Sequence, residues 1–170
     1  MAWTKGVTTY QWLVLFVAWL GWVFDAMDAT IYAIVLHPAL HELLHTGATG
    51  GEVTPEQIGW YGGIVFSVFL IGWAIGGIGF GLAADYFGRT KTLIATILIY
   101  AVFTGMAALA QEWWHLAIYR FLTALGVGGE WAAGAAIVAE TWPEEKRSRA
   151  AGILQSAWAF GFFIAAGCNL

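Results

Sequence analysis

The chain has 170 residues, of which 60% are apolar and only 11% are charged, and its formal net charge is −4. A soluble domain typically carries about a quarter charged residues, so this chain lacks the charge to cover a water-facing surface, and a basic stretch suited to nucleic acid is absent. The single cysteine, Cys168, excludes an internal disulfide and a metal site resting on paired thiolates.

Five apolar stretches follow one another along the chain, at 12–36, 58–82, 92–110, 116–139 and 150–170. About 20 helical residues span a bilayer core, and each stretch approaches or exceeds that. The runs are too long, and too poor in apolar/polar alternation, for the strands of a membrane barrel. The expected fold class is all-α, a polytopic transmembrane helix bundle. The first stretch is too long for a secretory signal and contains two aspartates, so it reads as a retained first helix.

Those aspartates, Asp25 and Asp28, are three residues apart and share one helix face with Tyr32. Asp25 falls roughly 20 Å along the helix, near mid-bilayer. Each aspartate there costs about 2.5–3.5 kcal/mol on an insertion scale. Intramembrane carboxylates mark ion and proton paths, and the competing reading is a pair fixed by neighbouring helices without a transport role. His37, His41 and His45 recur every fourth residue. Zinc binding is conceivable, but no other strong ligand accompanies them, so they read as polar residues of an outer loop.

The second helix opens on Thr54-Pro55-Glu56-Gln57, a capping-box pattern with proline at the first helical position. Gly72 and Gly76, then Gly77 and Gly81, are spaced by four, which lets another helix approach closely. Gly88 provides the turn that ends this helix. Arg120 is a lone basic residue inside the fourth helix, about 8 Å from its outer end, while Asp28 lies about 12 Å from the outer end of the first. The two can form a charge pair, or they can share an anion. Glu130, deeper in the fourth helix, is a second proton site or a partner for another helix. Pro143 stops that helix.

Apart from Arg120, the basic residues sort by loop. Lys5 precedes the first helix, Arg89 and Lys91 follow the second, and Lys146, Arg147 and Arg149 follow the fourth. The loops after the first and third helices contain histidines and glutamates, including Glu52 and Glu112, but no lysine or arginine. The positive-inside rule then puts the N-terminus in the cytoplasm and the protein in the cell membrane.

The segment GLAADYFGRTK, at 81–91, resembles the helix 2–3 loop motif of the major facilitator superfamily through Gly81, Asp85, Gly88, Arg89 and Lys91. Arg120 with Gly126, Gly128 and Gly129 resembles the arginine-and-glycine motif of that superfamily's fourth helix. AWLGWVFDAMD at 18–28, GGEW at 128–131 and AETWPEEKRSRA at 139–150 resemble the sialate and organic-acid:proton symporters within it. The resemblance implies a secondary carrier rather than an enzyme, working by alternating access with no cofactor. It implies a small organic carboxylate and a proton as partners, and helices 1 and 4 lining the cavity, with Arg120 and Tyr32 at the substrate. Glu140 would join Asp85 and Arg89 in a cytoplasmic gate. Sugar-carrying relatives place glutamines in helix 5, where Gln155 is the one candidate, at a poorly fitting spacing. Members of the family have two six-helix halves, so residues 1–170 are expected to form an incomplete N-terminal domain, a fragment. A sugar or drug carrier is the alternative within the class. A prenyltransferase-like enzyme using Asp25 and Asp28 is the alternative outside it, weakened by the lack of a second acidic motif.

Overall fold

The computed structural model describes residues 6–46 and 53–168; Lys5, Glu52 and Leu170 lie outside the described residues. Its elements are α1 (Thr9–Thr46), α2 (Pro55–Phe87), α3 (Arg89–Ala107), α4 (Trp113–Thr141) and α5 (Glu144–Cys168). All five are long and apolar enough to cross a membrane.

The helices overrun their apolar cores, and the reasons are local. α1 begins with a reciprocal cap: Gln11 N donates to Thr8 Oγ1, and Thr8 N donates to Gln11 Oε1. It continues through Pro38 to Thr46, so His37, His41 and His45 lie on a helix and not in the loop expected for them. Proline removes one backbone hydrogen bond. The helix persists because Leu40 and Leu44 are buried beyond it, with Leu40 packed near Ile58 and Leu116. α2 starts with the Thr54/Gln57 capping box and ends at Gly88, whose φ of 94° suits glycine. α3 stops at Ala107, short of the expected end at 110. There Ala108, Leu109 and Ala110 each donate to the carbonyl three residues back, which tightens the chain into turns. α5 starts at Glu144, six residues earlier than expected. Lys146 N and Arg147 N both donate to Pro143 O, and Glu144 and Glu145 complement the helix dipole.

α4 is the centre of the bundle, packed chiefly on α2 and α3, while α1 packs chiefly on α5 and secondarily on α4. Lipid gives little hydrophobic drive to helix association, so close backbone approach has to supply the contact. Glycines provide it. A methyl group on Gly76 would run into the Leu125 backbone, and one on Gly128 into Trp73 O and Gly77 N. One on Gly161 would meet Ala26 and Val23, which brings α5 onto α1. The glycines of α4 therefore serve two neighbours, since Gly126 faces Thr96 and Tyr100 of α3 while Gly129 sits between Thr96 and Phe80.

The outer face is apolar. Ile71, Ile75 and Ile78 of α2 and Ile94, Leu98 and Val102 of α3 are exposed. Exposed apolar area on that scale marks a surface covered by something other than water. The inner face of α3 carries Thr92, Thr96, Tyr100 and Thr104, one residue per turn.

Candidate functional site

A cavity of about 710 Å³ opens between α1, α3 and α4 at the end of the bundle away from the basic loops. Aliphatic side chains such as Val35, Leu36 and Leu116 make up much of its wall, with Asp28, Tyr32, Glu42, Thr104, Gln111 and Arg120 as polar members.

Arg120 is the centre of the site. It is 6% exposed, and its Nη1 donates to Asp28 Oδ2 at 2.8 Å. The guanidinium lies 3.5 Å above the centre of the Tyr32 ring, close enough for a cation–π contact. One turn separates Asp28 from Tyr32 on α1, so the same helix face supplies both the counter-ion and the aromatic floor. Arg120 Nε and the Tyr32 hydroxyl are buried without a hydrogen-bond partner. An arginine has five fixed donors and cannot lose its proton, so one carboxylate leaves this one under-satisfied. The arrangement can take a second acceptor.

Asp25 and Glu130 lie deeper. They are 7% and 2% exposed, and Asp25 Oδ1 and Glu130 Oε2 lack partners. Glu130 reaches α1 through a notch at Gly21, where an added methyl group would collide with Glu130 Oε1. Gly21 is one turn from Asp25, and Asp25 is within electrostatic reach of both Glu130 and Asp28. The three carboxyl groups thus descend from the cavity wall into the interior between α1 and α4. Gln155 is not brought to this site. It is exposed on α5 and does not line the cavity.

At the opposite end, Arg89 Nη2 bridges Asp85 at 2.7 Å and Glu140 at 2.9 Å, and its Nε donates to the same Glu140 oxygen. The α2–α3 turn is thereby tied to the end of α4. Gly81 faces Ala132 at ordinary contact distance, and Lys91 is exposed beside the turn.

The sequence reading missed a second tie at this end. Gln11 Nε2 donates to Thr141 O at 2.6 Å, and Trp142 Nε1 donates to Gln11 O at 3.2 Å. Trp142 is almost wholly buried, edge-on to Trp12. The Thr8-x-x-Gln11 spelling, the same as Thr54-x-x-Gln57, was the available signal for where α1 begins. Thr104 was also missed, although the four-residue spacing of Thr92, Thr96, Tyr100 and Thr104 was there to be read.

A bundle of membrane-length helices around a cavity, with an arginine and carboxylates buried between them, defines a multi-pass membrane protein. The family model described as Major Facilitator Superfamily matches residues 18–168, and the chain belongs to that superfamily. It is 37% identical to a putative metabolite transport protein of Haemophilus influenzae, over 96% of this chain and 37% of the relative. It is 36% identical to a sialic acid transporter of Escherichia coli, over 97% of this chain and 38% of the relative. The chain thus spans little more than a third of the length of these relatives. A crystal structure of a bacterial homolog of the human lysosomal transporter Spinster, inward-facing and unoccupied, superposes with a TM-score of 0.79 at 22% identity. That match covers 94% of this chain and 31% of the other, and it shows the shared fold. Membership in a transporter family sets aside the prenyltransferase alternative.

Proposed function

We propose that these helices form the incomplete N-terminal domain of a proton-coupled symporter for a small organic anion, working by alternating access in the cell membrane with its N-terminus in the cytoplasm. The observation that carries this is the Arg120–Asp28 pair on the cavity wall, with Arg120 Nε and the Tyr32 hydroxyl left over. A substrate carboxylate fits the two-pronged donor geometry of arginine. Asp28 is then the resident counter-ion that the substrate must displace. A proton on Asp28 weakens its hold on Arg120 and frees the guanidinium, so proton and substrate bind together. Asp25 and Glu130 are the deeper groups through which the proton leaves. The similarity to a sialic acid transporter favours an acid over a neutral sugar, and Gln155, the candidate for a sugar site, does not line the cavity. The Gly81–Lys91 loop with Glu140 acts as the cytoplasmic gate, a reading supported by the Arg89 ion pairs that tie the loop to the end of α4.

The test is transport by the full-length carrier in vesicles with an imposed pH gradient. Asp28→Asn should lose uphill accumulation and keep part of its counterflow exchange. Arg120→Ala should lose both. If Asp25→Asn and Asp28→Asn each accumulate substrate like the parent, the α1 carboxylates do not couple the proton.

A further inference from the structure

Several hydroxyl side chains in these helices satisfy themselves. Thr30, Ser67, Thr96, Thr141 and Ser156 each donate to a carbonyl three or four residues earlier. This back-bonding is the default for a hydroxyl on a helix with no better partner. Thr104 departs from it. Its Oγ1 is buried without a hydrogen-bond partner, and the residue lines the cavity on the α3 side. Thr123 Oγ1 is also unpartnered, but it does not line that cavity. Tyr32 and Arg120 hold unpartnered polar atoms on the α1 and α4 walls of the same cavity. Three helices that wall this space therefore each hold an unsatisfied hydrogen-bonding group buried just behind its surface, and α3 contributes only Thr104 to that set.

We infer that Thr104 is a specificity-determining residue: its hydroxyl reads a second polar group on the substrate, such as a hydroxyl, while Arg120 holds the carboxylate. This rests on the organic-anion reading above and narrows it to acids that carry a hydrogen-bonding substituent on an otherwise apolar body. The apolar walls suit the body of such a molecule, and about 710 Å³ is in the range of small-molecule sites. A substrate without the substituent leaves the Thr104 hydroxyl dry and unpaired, and a site built that way discriminates against the deoxy analogue.

The experiment measures competition for uptake by the full-length carrier, using benzoate and its three monohydroxy isomers as matched probes. In the parent, at least one hydroxy isomer should compete about tenfold better than benzoate, from the cost of an unpaired buried hydroxyl. Thr104→Val, nearly equal in size, should bring the two within about twofold, and Thr104→Ser should restore the preference. A preference that survives in Thr104→Val overturns the inference and leaves the anion reading standing. Equal competition by all four acids in the parent overturns it as well. Failure of every acid to compete in the parent overturns the inference too; direct binding of the four acids to purified Arg120→Ala carrier, expected to be lost, tests the organic-anion reading separately.

Discussion

Asp28→Asn removes the one charged partner, among the described residues, of an arginine that cannot be neutralised. Taking one member from a buried pair costs about 3–5 kcal/mol, mostly because the other charge stays behind dry. Two features reduce that here. The Tyr32 ring still lies under the guanidinium at 3.5 Å, and a cation–π contact in a desolvated place retains about 2 kcal/mol. The Asp28 side chain is also 16% exposed to the cavity, so water can reach the vacated position. A net loss of about 1–3 kcal/mol is expected. Arg120→Met should cost less, about 1–2 kcal/mol, because a carboxyl can hydrate at the cavity wall or take up a proton. The double variant Asp28→Asn/Arg120→Met leaves no stranded charge. Its stability should lie within about 1 kcal/mol of the parent, below the sum of the single losses. Equilibrium unfolding of the purified full-length carrier in mixed detergent micelles, with all four proteins side by side, gives the coupling directly. Additive losses would refute the reasoning, because they would mean that the two residues do not stabilise each other and that protonating one cannot release the other.

Glycine substitutions separate packing from propensity. Gly128→Ala places a methyl group 2.8 Å from Gly77 N and should cost about 1–3 kcal/mol through overpacking. Gly79→Ala meets nothing within 4 Å and should stabilise α2 by up to about 1 kcal/mol; equal melting shifts for the two would contradict the α2–α4 interface. At the gate, Arg89 is partly exposed and Asp85 and Glu140 are more so. Glu140→Gln should therefore change stability by less than about 1 kcal/mol while slowing turnover more than it weakens substrate binding; weakened binding at normal turnover would exclude a gating role. Trp142→Ala should cost about 3–5 kcal/mol by emptying a buried site, and Trp142→Phe about 1 kcal/mol for the bond to Gln11 O, a ranking that thermal melting can check. Single cysteines at Glu112 and at Lys91 should be labelled by an impermeant maleimide from outside and from inside, respectively, and the reverse pattern would invert the proposed topology.

The number and type of elements were legible in the sequence because the bilayer imposes a length and an apolar content that few other environments demand. The Thr54 cap, the turn at Gly88 and the stop at Pro143 were legible because each is a property of a few adjacent residues. Helix ends were less so. Hydropathy marks where a helix meets lipid, whereas α1 continues past Pro38 because Leu40 finds partners on other helices and Leu44 is buried as well. Asp25, Asp28, Arg120 and Glu130 could be singled out because a charge in an apolar run is costly wherever it points. Their pairing could not be read, since it depends on how α1 and α4 cross: Asp28 meets Arg120, while Glu130 enters the notch at Gly21. Thr104 shows the limit most clearly. A threonine in a membrane helix ordinarily satisfies itself on its own backbone, and only the tertiary structure shows this hydroxyl buried and unpaired in a residue that lines the cavity.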